Sequence, residues 1–145
     1  MSAAWLVQRS VPMDDQLEAG DGRCAVRLTW HYHGDDLYVH VGGGQDHIGA
    51  AALAGPGDLA AGRVLVIEPH KEGELALTAA RRLHAALGVT ACVTAGIHLE
   101  QITPGEIETV LANVEQAVAA LIARLGPRAQ SPGACSSAGG EAGGS

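Results

Sequence analysis

Between Ala25 and His33 the chain alternates: Val26, Leu28, Trp30 and Tyr32 fall on one face, and Arg27, Thr29, His31 and His33 on the other. That two-residue period is the mark of a half-buried strand. Gly34-Asp35 suits a two-residue hairpin loop, after which Leu37, Val39 and Val41 resume the alternation. The loop sets Trp30 opposite Val39 and His31 opposite Tyr38, so apolar side chains meet apolar ones across the pair. The other face of this hairpin carries Arg27, Thr29, His31, His33, Tyr38 and His40. It calls for water, an interface or a pocket.

Beyond Gly42-Gly43-Gly44 the pattern predicts a third strand over Ile48 to Ala54, broken by Gly55-Pro56-Gly57, and a compact apolar strand over Arg63 to Glu68. Lys71 to Leu87 then reads as a helix, with Leu75, Ala76, Ala79, Leu83 and Leu87 at helical spacing and Gly88 as its stop. Val89 to Thr94 is a further strand. Thr103-Pro104-Gly105-Glu106 is a capping box with proline at the first helical position. The helix it opens carries Ile107, Val110, Leu111, Val114, Val118, Leu121, Ile122 and Leu125 on one stripe. The predicted order is β-β-β-β-α-β-α, an α/β two-layer sandwich with a mixed sheet and both helices on one face. In the strand-helix-strand unit that starts at Arg63 the strands run parallel, and right-handed crossover is the rule, so both end at one sheet edge. If the Ile48 strand is antiparallel to the Arg63 strand, it starts at that edge too.

Composition narrows the picture without changing it. A chain of 145 residues is the size of one domain, expected over 1–125, whereas the Gly/Ser/Ala-rich stretch 126–145 cannot bury a core and reads as a disordered tail. With two Trp, two Tyr and no Phe, aliphatic side chains must fill the interior. A formal charge of −7 argues against nucleic acid or an anionic membrane as the main partner. No apolar run approaches a membrane span, and the N-terminus has neither the basic start nor the apolar stretch of a secretion signal. Cys24, Cys92 and Cys135 show no metal-ligand spacing, and the first two fall in apolar strands as reduced core thiols. The expectation is a cytoplasmic protein.

The candidate chemistry gathers at the shared edge. His47, His70 and His98 each lie where a strand meets a loop, and histidine serves proton transfer, metal ligation and phosphate contact near neutral pH. Singly, His47 and His98 are each more often a hydrogen-bond partner for a turn. Together they point to a site, beside Gly43 and Gly44, the helix start at Lys71 and Glu72, and Gly96. Free amides at that helix start and the Lys71 charge favour an anion. Acidic residues in a first helical turn are also ordinary dipole chemistry, and Gly42-Gly43-Gly44 has the spacing of neither common nucleotide fingerprint. Three neutral imidazoles can hold a divalent metal, which makes His47, His70 and His98 the metal candidates, with Asp46, Glu68, Glu72 and Glu100 nearby in sequence. His31, His33 and His40 are left outside this site.

The succession GGGQDHIGAAALA, PHKEGELA and TAGIHLEQITPGEIE resembles the LpdD-like prenylated-flavin chaperone family, which shares its fold with proteasome-assembly-chaperone-like domains. The similarity runs from the first strand to the last helix. The resemblance implies a small accessory protein that binds prenylated FMN, or FMN, and assists its delivery to or maturation in a UbiD-type decarboxylase. The matching positions are Gly43, Gly44, His47, His70, Lys71, Glu72, Gly96 and His98. No aromatic is expected near this site to stack on the flavin, so aliphatic side chains or a second subunit would have to serve, and the half-polar sheet makes a homodimer the expected assembly. Two rivals stand beside this reading: a metal-dependent hydrolase or isomerase with Glu72 or Glu100 as general base, and a ligand-free assembly scaffold.

Overall fold

The computed structural model describes residues 15–68 and 72–127. Six strands form one sheet in the order β1-β2-β3-β6-β4-β5. They are β1 (Gln16–Ala19), β2 (Val26–His33), β3 (Asp36–Gly44), β4 (Ala50–Ala54), β5 (Arg63–Val66) and β6 (Ala91–His98). The helices are α1 (Gly73–Leu87) and α2 (Pro104–Leu125). The expected α/β sandwich with a mixed sheet is what forms, with one strand more than the sequence pattern shows. β1 is short and half polar, QLEA, and owes its place to antiparallel pairing with β2 rather than to its own pattern.

The hairpin register is the expected one: Trp30 pairs with Val39 and His31 with Tyr38. Gly34 has φ +62°, the left-handed backbone that a tight two-residue hairpin loop demands at its first position. β3 pairs in parallel with β6, and β4 is antiparallel to both β6 and β5. The two strands of the crossover therefore run the same way with β4 between them, and the start of β4 lies at the edge where both end. Several element bounds differ from the expected ones. β4 starts at Ala50 because the residues before it belong to a loop, β5 ends at Val66, α1 starts at Gly73, and β6 runs to His98.

One face of the sheet is dry. Val26, Leu28 and Trp30 of β2, Leu37, Val39 and Val41 of β3, Val93 of β6 and Ala52 of β4 are all buried. Against them α1 packs Ala76, Ala80 and Leu83, mainly over β4 and β6, and α2 packs Val114, Val118 and Leu121 over β1 and β2. Small alanines on β4 and α1 let that helix sit close to the sheet. Gly88 ends α1 at φ +70°, while Thr103 and Glu106 close the expected capping box of α2 with reciprocal bonds of 3.1 Å. At the far end of α2 the Arg124 guanidinium lies 5.3 Å from the centre of the Trp30 ring, pinning the helix to β2. Among the described residues the opposite face has no helix. It carries the polar hairpin residues at one side and Leu53 and Leu65 at the other, with Leu65 80% exposed.

Candidate functional site

The glycine run at the end of β3 and the loop after it build the site. Gly42, Gly43 and Gly44 pair with Gly96, Ile97 and His98 across the parallel β3–β6 seam. The loop 45–49 then folds back onto the open face of the sheet. Gly49 N–H donates to Ala95 O and Gln45 N–H to His98 O, each at 2.8 Å. This return needs glycines beneath it. A Cβ on Gly96 would lie 1.7 Å from His47 O, and one on Gly42 would lie 2.5 Å from Asp46 Oδ1. Gly44, at φ +59°, makes the turn, and a side chain there would strike His98 O at 2.2 Å.

Two clefts flank this loop. One, of about 540 Å³, lies over Gly42, Gly43 and Gly44 and is bordered by Arg23, Arg27 and Asp46. The other, of about 380 Å³, is on the open sheet face between Tyr38, His40, Asp46, His47 and Ile48. Asp46 borders both.

Of the eight positions expected to form the site, six lie within the described residues. Gly43 and Gly44 border the larger cleft and His47 the smaller one. His70 and Lys71 fall outside the described residues. Glu72 is the N-cap of α1 and points at the end of β6, where its Oε1 accepts from Ile97 N–H at 3.3 Å and lies 3.3 Å from His47 Nε2. The other ring nitrogen, Nδ1, is 3.1 Å from Gln45 O, so both nitrogens of His47 face oxygens. A doubly protonated ring satisfies both partners. His47 and Glu72 thus fasten the loop to the helix start. His98, at the same edge, turns instead to Glu100 at 3.3 Å in an exposed pair, a contact worth little in water. The edge does bring His47 and His98 together in topology, but each takes its own carboxylate. Among the described residues no group of three or more His, Cys, Asp or Glu side chains is placed to hold a metal.

His40 corrects the reading made from the sequence. Left outside the site there, it borders the same cleft as His47, with Nε2 2.7 Å from Asp46 Oδ1 and Nδ1 2.7 Å from Thr94 Oγ1. Tyr38 OH lies 2.9 Å from the same Thr94 oxygen. Tyr38 is also the aromatic that the sequence did not place near the site. Strand alternation put Tyr38 and His40 on one face, and that was the available clue. What it lacked was the β3–β6 seam, which sets Thr94 directly beside His40.

At the larger cleft Arg23 grips the Glu106 carboxylate at 2.5 and 3.0 Å and donates to Glu100 O at 2.8 Å. The guanidinium and the Thr103 amide hold the Glu106 carboxyl well down, at about 2. This brace fixes the turn before β2 against the start of α2. Among the described residues Arg27 is tied only to Glu18, at 3.2 Å in an exposed pair.

A family model described as the prenylated flavin chaperone LpdD-like domain matches residues 20–126, from the turn before β2 through the whole of α2. The chain belongs to this family. Among solved structures this LpdD-like domain is similar to one from a crystal structure of a novel chaperone complex for yeast 20S proteasome assembly. The identity is 14%, the match covers 77% of this chain and 97% of that one, and the TM-score is 0.53. At that identity the likeness is one of fold. A search of curated proteins found no match. The family match spans the smaller cleft, the lining of the larger one apart from Glu18, the returning loop and the His47–Glu72 fastening.

Proposed function

We propose that this LpdD-like protein is a non-catalytic carrier of prenylated FMN, or FMN, that assists its delivery to or maturation in a UbiD-type decarboxylase. Family membership supports the chaperone role and the flavin class. The observation that carries the reading is the glycine-floored cleft of about 540 Å³, a size within the roughly 300–1,000 Å³ range of small-molecule sites. A floor of bare backbone lets a bound ligand approach closely, as side chains there would not. Lys71 with the amides opening α1 is the proposed phosphate anchor. Arg27, whose exposed pair with Glu18 is weak, adds a cation that can turn to a phosphate. Apolar side chains on the uncovered sheet face, Ile48, Leu53, Leu65 and Ile67, suit burial against a second copy of the chain, and a homodimer is part of the proposal. A cytoplasmic location goes with the same role.

The test is the absorption spectrum and native mass of protein co-produced with a flavin prenyltransferase under exclusion of oxygen. Retained flavin mass that is lost in a His47, His70, His98 triple-alanine variant supports the carrier. Colourless protein of bare polypeptide mass refutes it, and stoichiometric bound metal with hydrolytic turnover would replace it with an enzyme.

A further inference from the structure

On the open sheet face four side chains form a line of hydrogen bonds: Tyr38 OH to Thr94 Oγ1 at 2.9 Å, Thr94 Oγ1 to His40 Nδ1 at 2.7 Å, and His40 Nε2 to Asp46 Oδ1 at 2.7 Å. The line has a direction. An ionised carboxylate only accepts, so His40 donates through Nε2. In its neutral form the imidazole has an acceptor at Nδ1, and the Thr94 hydroxyl then donates to it. With its proton committed, Thr94 accepts from Tyr38 O–H. The Tyr38 proton is committed in turn, and what the phenol offers the cleft is its lone pairs. Thr94 is 8% exposed and the His40 side chain 16%, so water competes weakly for the two bonds to Thr94, while the Asp46 end of the line is open to water.

We propose that Tyr38, held as an acceptor by Thr94, His40 and Asp46, binds a ring N–H of a planar heteroaromatic ligand in the 380 Å³ cleft. Tyr38 is the ligand-touching residue, and Thr94, His40 and Asp46 are positioning residues that act through it. Ile48, 53% exposed at the rim, gives the ring an apolar wall. The choice of ring rests on the flavin reading above: an isoalloxazine carries an imide N–H between two carbonyls, a donor that an acceptor-only phenol recognises. Asp46 borders both clefts, so a ligand with its ring on Tyr38 can extend its polar tail past Asp46 over the glycine floor.

The experiment compares binding of lumiflavin and of 3-methyllumiflavin, which lacks the imide N–H, by fluorescence titration, with FMN in parallel. Wild-type protein is expected to prefer lumiflavin about tenfold, the weight of one well-aligned hydrogen bond. Tyr38→Phe and Thr94→Val should erase the preference, and Thr94→Ser, which restores the hydroxyl, should keep it. A preference that survives Tyr38→Phe, or FMN binding with no preference between the two rings, overturns the Tyr38 site and leaves the flavin reading standing. Failure of all three flavins to bind overturns both. Nitrogen-15 spectra of the imidazoles check the relay without ligand: His40 should carry its proton on Nε2 alone in the wild type, and a proton on Nδ1, alone or together with Nε2, overturns the direction argued here.

Discussion

Gly96→Ala adds one methyl group where the structure has no room for it. The new Cβ would lie 1.7 Å from His47 O and 2.3 Å from His47 C, and both are backbone atoms that no rotamer change can move aside. Relief requires the loop 45–49 to lift by roughly 1.5–2 Å to reach van der Waals contact. Lifting it stretches Gly49 N–H to Ala95 O, Gln45 N–H to His98 O and the His47–Glu72 contact. Two backbone bonds and one partly buried pair, at about 1 kcal/mol each, set the loss near 2–3 kcal/mol, within the usual range for overpacking. For a domain of this size that lowers the thermal midpoint by about 8–12 °C. Thermal unfolding followed by circular dichroism measures it, with Gly105→Ala as control because a Cβ there meets nothing within 4 Å. Equal midpoints for Gly96→Ala and wild type would refute the placement of the loop on the open face.

Removing the Thr103 hydroxyl by Thr103→Ala breaks the capping box of α2 and should cost about 1 kcal/mol in chemical denaturation. Glu106, depressed from an ordinary 4.5 to about 2 chiefly by the Arg23 hydrogen bond, stabilises the fold above pH 4.5. That contribution is lost as pH falls from about 4.5 towards 2, so Glu106→Gln should flatten the acid limb of the stability curve; an unchanged limb counts against the brace. Leu65→Glu places a charge on the exposed apolar end of the open face, and should convert a dimer to monomer in native mass spectrometry while leaving the midpoint of the monomer near wild type. Lys71→Glu should weaken FMN binding at least tenfold if the phosphate sits at the start of α1, and unchanged affinity would move the phosphate elsewhere.

The hairpin, both helices and the crossover were legible in the sequence because each carries a local periodic pattern. Val26, Leu28 and Trp30 announce a strand by alternation, and Thr103 with Glu106 announces a helix start by spacing alone. β1 was not legible, since four residues with one charge give no period and its place depends on partners ten residues on. The start of β4 was misjudged for a related reason. Ile48 continues the apolar run of Ala50–Ala54, but Gly49 and the bare Gly96 beneath His47 take it into the returning loop. Hydropathy does not show where a chain leaves the sheet plane.

The site shows the same division more sharply. Placing Gly43, Gly44, His47, Glu72, Gly96 and His98 at one edge needed only strand direction, which the crossover rule supplies for the strands from Arg63 and Val89 and an antiparallel assumption supplied for the strand from Ile48. Grouping side chains within that edge needed neighbours across the sheet. β6 lies between β3 and β4, so Thr94 meets His40, residues 54 positions apart that no local motif joins. His40 was discounted because a histidine on the polar face of a hairpin is ordinarily solvated. Its side chain is only 16% exposed here, because the loop carrying Asp46 lies beside it, and that loop can approach only where Gly42 and Gly96 leave the sheet surface bare. The glycines that look like flexible spacers in the sequence are therefore what turns a wet sheet face into a cleft with a directed acceptor.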